Sequence, residues 1–110
     1  MVFALLILLA SVQDPAVEVW TGGDDGLTQR FAVLFRAATH DIKRSDRRHL
    51  IRAIVEQIMP KRNGEVRVAV SFDRDGRHVG TSRCVAKEND LARCAARAGA
   101  LAKHLVAHVR

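Results

Sequence analysis

The chain has 110 residues, 48% of them hydrophobic, which is enough for one small domain with a real core. It carries 18 Lys and Arg against 12 Asp and Glu, a formal net charge of +6 and a pI near 10.4, a balance that favours anionic partners and does not constrain the fold. With no tyrosine and one tryptophan, Trp20, it has no platform of aromatic rings on which bases could stack.

The chain opens with MVFALLILLASVQ, which is uncharged and apolar through Ala10. That run is too short to span a bilayer and has the length of a signal-peptide apolar region. It lacks a basic start, and a cut after Ala10 would put Leu8 where a small residue is preferred. A buried N-terminal strand or helix is the alternative. We read residues 1–13 as a signal peptide and 14–110 as a single domain, with Pro15 between them. The expectation is a periplasmic or secreted protein with no transmembrane span in the mature chain.

Residues 16–20, AVEVW, alternate, with Val17 and Val19 on one face and Glu18 and Trp20 on the other, so they predict a strand. The next stretch, TGGDDGLTQR, runs into Leu27, Phe31, Leu34, Phe35 and Ala38 at helical spacing, a helix over about residues 26–38. Its glycines suggest a phosphate cradle, but no lysine accompanies them and Asp24 and Asp25 would repel the anion. Adjacent aspartates also lack the alternation of a calcium loop. A helix start uses every residue present: Gly22 and Gly23 for the turn, Asp24 and Asp25 as caps that accept free amides and complement the helix dipole.

Residues 39–49, THDIKRSDRRH, hold the densest positive cluster. Lys43, Arg44, Arg47 and Arg48, with Arg52 beyond, are candidate contacts for an anionic surface or a partner. A solvated edge strand and loop is the plain alternative. HLIRAIVEQIMP, residues 49–60, has a helical stripe through Leu50, Ile51, Ile54, Val55, Ile58 and Met59. As a strand it places Ile51, Ala53, Val55 and Met59 on one face that Gln57 interrupts. Asn63-Gly64 follows at once, the strongest short hairpin signal, and favours the strand.

Val66, Val68, Val70 and Phe72 alternate with polar neighbours in the next strand. Asp75-Gly76 turns it back into RHVGTSRC, residues 77–84. Asn89 or Asp90 can cap a final helix with Leu91, Ala95, Ala98, Ala102, Leu105 and Val109 on its buried stripe and Cys94 and Leu101 alongside. An even cysteine count in a small exported chain predicts a disulfide between Cys84 and Cys94, with two buried thiols or half a metal site as alternatives. The fold expected is α+β, an antiparallel sheet of about four strands with two helices on one face, in the order β-α-(β)-β-β-β-α.

This order, with the helix pattern GLTQRFAVLFRAA, resembles the TolB N-terminal domain and related domains of curli-secretion and outer-membrane lipoprotein assembly factors. VEVWTGGDDGLTQR with GRHVGTSRC and NDLARCAA also resembles a group of short exported proteobacterial proteins. The resemblance covers about residues 16–107 and carries no catalytic residues. It implies an adaptor that binds other envelope proteins. GEVRVAVSFDRDGRHVG followed by NDLARCAA is similar to the TonB and TolA C-terminal domains, an arrangement that needs residues 46–59 to be helical.

His104 and His108 lie four apart on the last helix, but no third ligand is evident and Leu105 stands where HExxH has its glutamate. No serine lies in GxSxG, and neither cysteine has a histidine beside it in sequence. We assign no catalytic residue, metal site or cofactor. The function expected is a non-catalytic, exported interaction domain of the cell envelope, its partner another envelope protein or an anionic envelope surface. The alternatives are a TonB- or TolA-like coupling domain and a cytosolic, basic nucleic-acid-binding module. Acidic residues interspersed among the basic ones argue against nucleic acid.

Overall fold

The computed structural model describes residues 16–42 and 50–108. The elements are β1 (Val17–Thr21), α1 (Gly26–Thr39), β2 (Ile51–Val55), β3 (Met59–Pro60), β4 (Glu65–Arg74), β5 (Arg77–Lys87) and α2 (Leu91–Ala107). Single 3-10 turns at Arg62–Gly64 and Glu88–Asp90 precede β4 and α2. The class is α+β, with a mostly antiparallel sheet of five strands and two helices.

β1 pairs with β2 in parallel, Val17 opposite Ile51 and Thr21 opposite Val55. Parallel neighbours need a crossover, and α1 supplies it. β2 and β3 both pair antiparallel with β4, one after the other along the same edge, and β5 pairs with its other edge. Residues 51–60 are therefore one interrupted strand, not the helix that the TonB- and TolA-like arrangement requires. The interruption falls around Gln57. Alternation buries Ile51, Ala53 and Val55, and the extra residue turns Ile58 inward in place of Gln57.

Asp75 and Gly76 join β4 to β5 with φ of 53° and 79°, the left-handed pair of a two-residue hairpin whose twist matches the strands. β5 is longer than the stretch 77–84 and runs to Lys87. The segment Lys43, Arg44, Arg47 and Arg48, the optional strand placed there, the proposed signal peptide and Val109 all lie outside the described residues.

Both helices cover one face of the sheet. Ile51, Val55, Val68, Val70 and Phe72 meet Phe31 and Phe35 from α1 and Leu91, Ala95, Ala98, Ala102 and Val106 from α2. The rings of Phe35 and Phe72 stand 6.2 Å apart. The α1 stripe is turned from the one its apolar residues suggest. Thr28, Phe31, Ala32, Phe35 and Thr39 are buried, while Leu27 and Leu34 lie at the margin and Ala38 is exposed. The cause is Thr28, held inward by a hydrogen bond from the buried Ile58 amide. In α2 the buried glycine has a packing reason: a Cβ on Gly99 would stand 3.3 Å from the Ala38 Cβ, so the two helices touch there. Among the described residues no helix is long and apolar enough to cross a membrane.

Candidate functional site

The TGGDDG loop is fully used in starting α1. Asp25 is the N-cap, its Oδ2 accepting from the Thr28 amide at 3.0 Å and its Oδ1 from the Thr28 hydroxyl at 2.8 Å. Those two bonds, the hydroxyl first, hold the Asp25 carboxyl below the usual carboxylate range. The Thr28 Oγ1 also accepts the Ile58 N–H at 3.1 Å, which ties the cap to the break between β2 and β3. The Gln29 side chain donates to the Gly23 carbonyl at 2.9 Å and the Gly22 amide to the Val55 carbonyl at 2.7 Å. Gly23 is glycine for want of space: a Cβ would lie 2.9 Å from Asp25 Oδ1 and 3.1 Å from Gln57 Cγ. Asp24 is exposed and takes no part in the cap.

Cys84 of β5 and Cys94 of α2 form a disulfide with Cα atoms 5.6 Å apart. It fixes the start of the last helix against the edge strand. Asp90 is the residue before that helix, but its side chain makes no cap bond and receives Arg93 Nε at 3.1 Å instead.

An open cleft of about 470 Å³ lies between the helices, lined by Arg30, Leu34, Glu88 and Leu91. Its charged groups face one another, Arg30 and Glu88 at 3.7 Å. His104 and His108 stack at 4.1 Å between ring centres. Among the described residues no three His, Cys, Asp or Glu are placed to hold a metal.

The sheet face opposite the helices is open and brings exposed polar and apolar residues into register. At one end Glu18, on β1, joins Trp20 and Arg52. Its Oε1 accepts from the Trp20 indole at 2.7 Å and from Arg52 Nε at 3.2 Å, and the guanidinium lies 4.6 Å from the Trp20 ring centre. Trp20 is still 52% exposed. Arg52 is thus held in a cation–π and ion-pair cluster rather than standing as an unpaired cation. In the middle Ile54 lies opposite Ser71, whose hydroxyl donates to Glu56 at 2.7 Å.

At the other end Met59, Arg67 and Val85 form one row across three strands, and Arg83 lies opposite Ala69 in the next. The Glu56 amide bonds to the Ala69 carbonyl, so the odd residues of β4 point their backbone groups away from β5. Arg67–Val85 and Ala69–Arg83 are therefore non-hydrogen-bonded pairs, with side chains close together. Met59 and Val85 are exposed, and Arg67 and Arg83 make no ion pair among the described residues. The face is balanced in charge: Glu18, Glu56, Glu65 and Asp73 stand against Arg52, Arg67, Arg83 and Lys87.

The helical layer on the other side is charged differently. Neither α1 nor α2 contains an Asp or Glu, while Arg30, Arg36, Arg93, Arg97 and Lys103 are exposed on them. Sequence reading singled out the cluster around residue 43 and passed over this layer and the row Met59–Arg67–Val85. The signals were present as the charge of each predicted helix taken alone and as the alternate residues of two strands once their register is known.

No protein-family model, no curated protein and no solved structure matches the chain.

Proposed function

We propose that the chain is an exported, non-catalytic interaction domain of the bacterial envelope, with the open sheet face as its surface for a partner protein. The observation that carries this reading is the Cys84–Cys94 bond. Disulfides of this kind persist in oxidising compartments and are rare where thiols are kept reduced. An apolar segment of signal-peptide length at the N-terminus supports the same compartment. The sheet face supports the binding role. Trp20 and Met59 are exposed large apolar groups at opposite ends of it, and an aromatic residue with an arginine stacked on it is the kind of anchor protein interfaces use. Charges of both signs around that surface suit a protein partner better than a polyanion.

The test is the intact mass of the protein expressed with its native N-terminus in a Gram-negative host, with and without reductant and alkylation. Loss of an N-terminal segment together with a bonded cysteine pair is the expected result. A full-length chain with two free thiols refutes the reading and returns the protein to the cytosolic alternative.

A further inference from the structure

We infer that the outer surface of the helical layer docks on an anionic phospholipid surface. This rests on the envelope reading above and gives the domain a second contact, on the side away from its protein partner.

The argument begins with how charge is divided. Every carboxylate of the described residues lies in a strand, a loop or a 3-10 turn, and none lies in the two helices that form the outer layer. A random scatter over a chain with 12 acidic and 18 basic residues would place several on 31 helical positions (14 in α1 and 17 in α2). The acidic residues at the start of α2 neutralise two cations of the layer, Glu88 with Arg30 at 3.7 Å and Asp90 with Arg93 at 3.1 Å, and Arg36 of α1 donates to the Val19 carbonyl at 3.5 Å. Arg97 and Lys103 are exposed and have no carboxylate partner among the described residues.

The shape of the layer selects among anionic partners. Between the cations α2 exposes Ala92, Ala96 and Ala100, which keep its surface low so that long basic side chains reach past it. Val33 on α1 is the exposed large apolar side chain of this layer. A protein interface needs a buried aromatic or aliphatic core, which alanines do not provide. The exposed pair Arg97 and Lys103 on a low alanine surface instead matches a plane of phosphates, where attraction is a sum over charges and needs no pocket. Attachment would be peripheral, leaving the sheet face directed away from the membrane.

The experiment uses the form recovered from cells, with its N-terminus fixed by mass. Its binding to phosphatidylglycerol-containing vesicles is compared with binding to pure phosphatidylcholine vesicles at about 0.15 M salt, where screening acts over about 8 Å. Two double variants are compared, Arg97→Glu with Lys103→Glu on the helices and Arg67→Glu with Arg83→Glu on the sheet. Each takes four charge units from the formal +6, so they differ only in where the charge is lost. A cation near such a surface contributes about fivefold in affinity, so the helix variant should bind at least about twentyfold more weakly. The sheet variant should change by less than about threefold on the same scale.

Equal losses in both variants, or equal binding to the two kinds of vesicle, would overturn the inference. So would a preference of this face for duplex DNA over the anionic vesicles, which would move the helices to the nucleic-acid reading. Because the vesicle assay is run on purified protein, its failure leaves the export reading standing. Free thiols in the mass experiment would sink that reading while leaving the vesicle result as measured.

Discussion

Replacing Thr28 by valine tests the link between the cap of α1 and the broken strand beside it. Thr28 is fully buried, and its Oγ1 gives a hydrogen bond to Asp25 at 2.8 Å while taking one from the Ile58 amide at 3.1 Å. Valine has nearly the same shape, so no large cavity opens. The Ile58 N–H, in a residue only 2% exposed, is left with no acceptor. An unsatisfied buried amide costs about 1–3 kcal/mol, and the expected loss is about 2 kcal/mol, or roughly 8–10 °C in Tm. Thr28→Ser keeps both hydrogen bonds and removes one buried methyl, for about 1 kcal/mol. The assay is urea unfolding without reductant, so that the disulfide stays closed in both states, with the slope required to stay constant. A valine variant within 0.5 kcal/mol of the parent, or a serine variant less stable than valine, would refute the reasoning: the first would mean the amide finds another partner, the second that Thr28 serves by its methyl alone.

Opening the loop between Cys84 and Cys94 by replacing both with alanine should cost about 2.7 kcal/mol in the chain-entropy model for a separation of 10, read by the same unfolding assay with reductant as the parent control. The Asp25 carboxyl is held below its ordinary value in the folded protein, so its contribution is present above the unfolded pKa near 4 and is lost as pH falls through the folded one. Stability curves of the parent and of Asp25→Asn should therefore converge on acidification, and parallel curves would deny the effect. At the helix contact, Gly99→Val should destabilise by about 1–3 kcal/mol through crowding, since even its Cβ would lie 3.3 Å from that of Ala38. Ala38→Gly should recover part of that loss in a thermal melt.

The sequence revealed most where one local rule acted alone. Val66, Val68, Val70 and Phe72 alternate without interruption, and Asp75-Gly76 admits the left-handed turn that returns the chain, so β4 and β5 were legible from the residues. Residues 49–60 obeyed two rules at once. Their apolar residues fit a helical stripe, and pairing with β4 decided for the strand, with the misfit at Gln57 absorbed as a break. The face of α1 could not be read from apolar residues because a threonine occupies its centre. Thr28 is buried for its hydrogen bonds, and its partner, Ile58, is thirty positions away. The open sheet face was half legible: alternation gave its members, but only the register brings Met59, Arg67 and Val85 into one row. The same alternation held Glu18 and Trp20 on one side of β1 without showing that Arg52 closes the cluster from the parallel neighbour.

That cluster makes the two proposed contacts separable in a single molecule. Trp20 is the chain's one tryptophan, and it sits on the open face with its ring half exposed under the Arg52 guanidinium. Burial of the ring by a partner protein would remove water from it and shift its emission to shorter wavelength. A phospholipid surface docked on the helices lies on the other side of the sheet and would leave the ring's surroundings unchanged. Vesicle binding should therefore proceed without a shift in tryptophan emission, checked by titrating anionic vesicles while following the spectrum and the bound fraction together. Arg52→Ala should expose the ring further and move the starting emission to longer wavelength while leaving vesicle binding within about threefold, because Arg52 is not on the docking layer. A blue shift that tracks vesicle binding would place the membrane on the sheet face and exchange the roles of the two surfaces. The single tryptophan thus reports which side of the sheet a partner takes, independently of the charge variants.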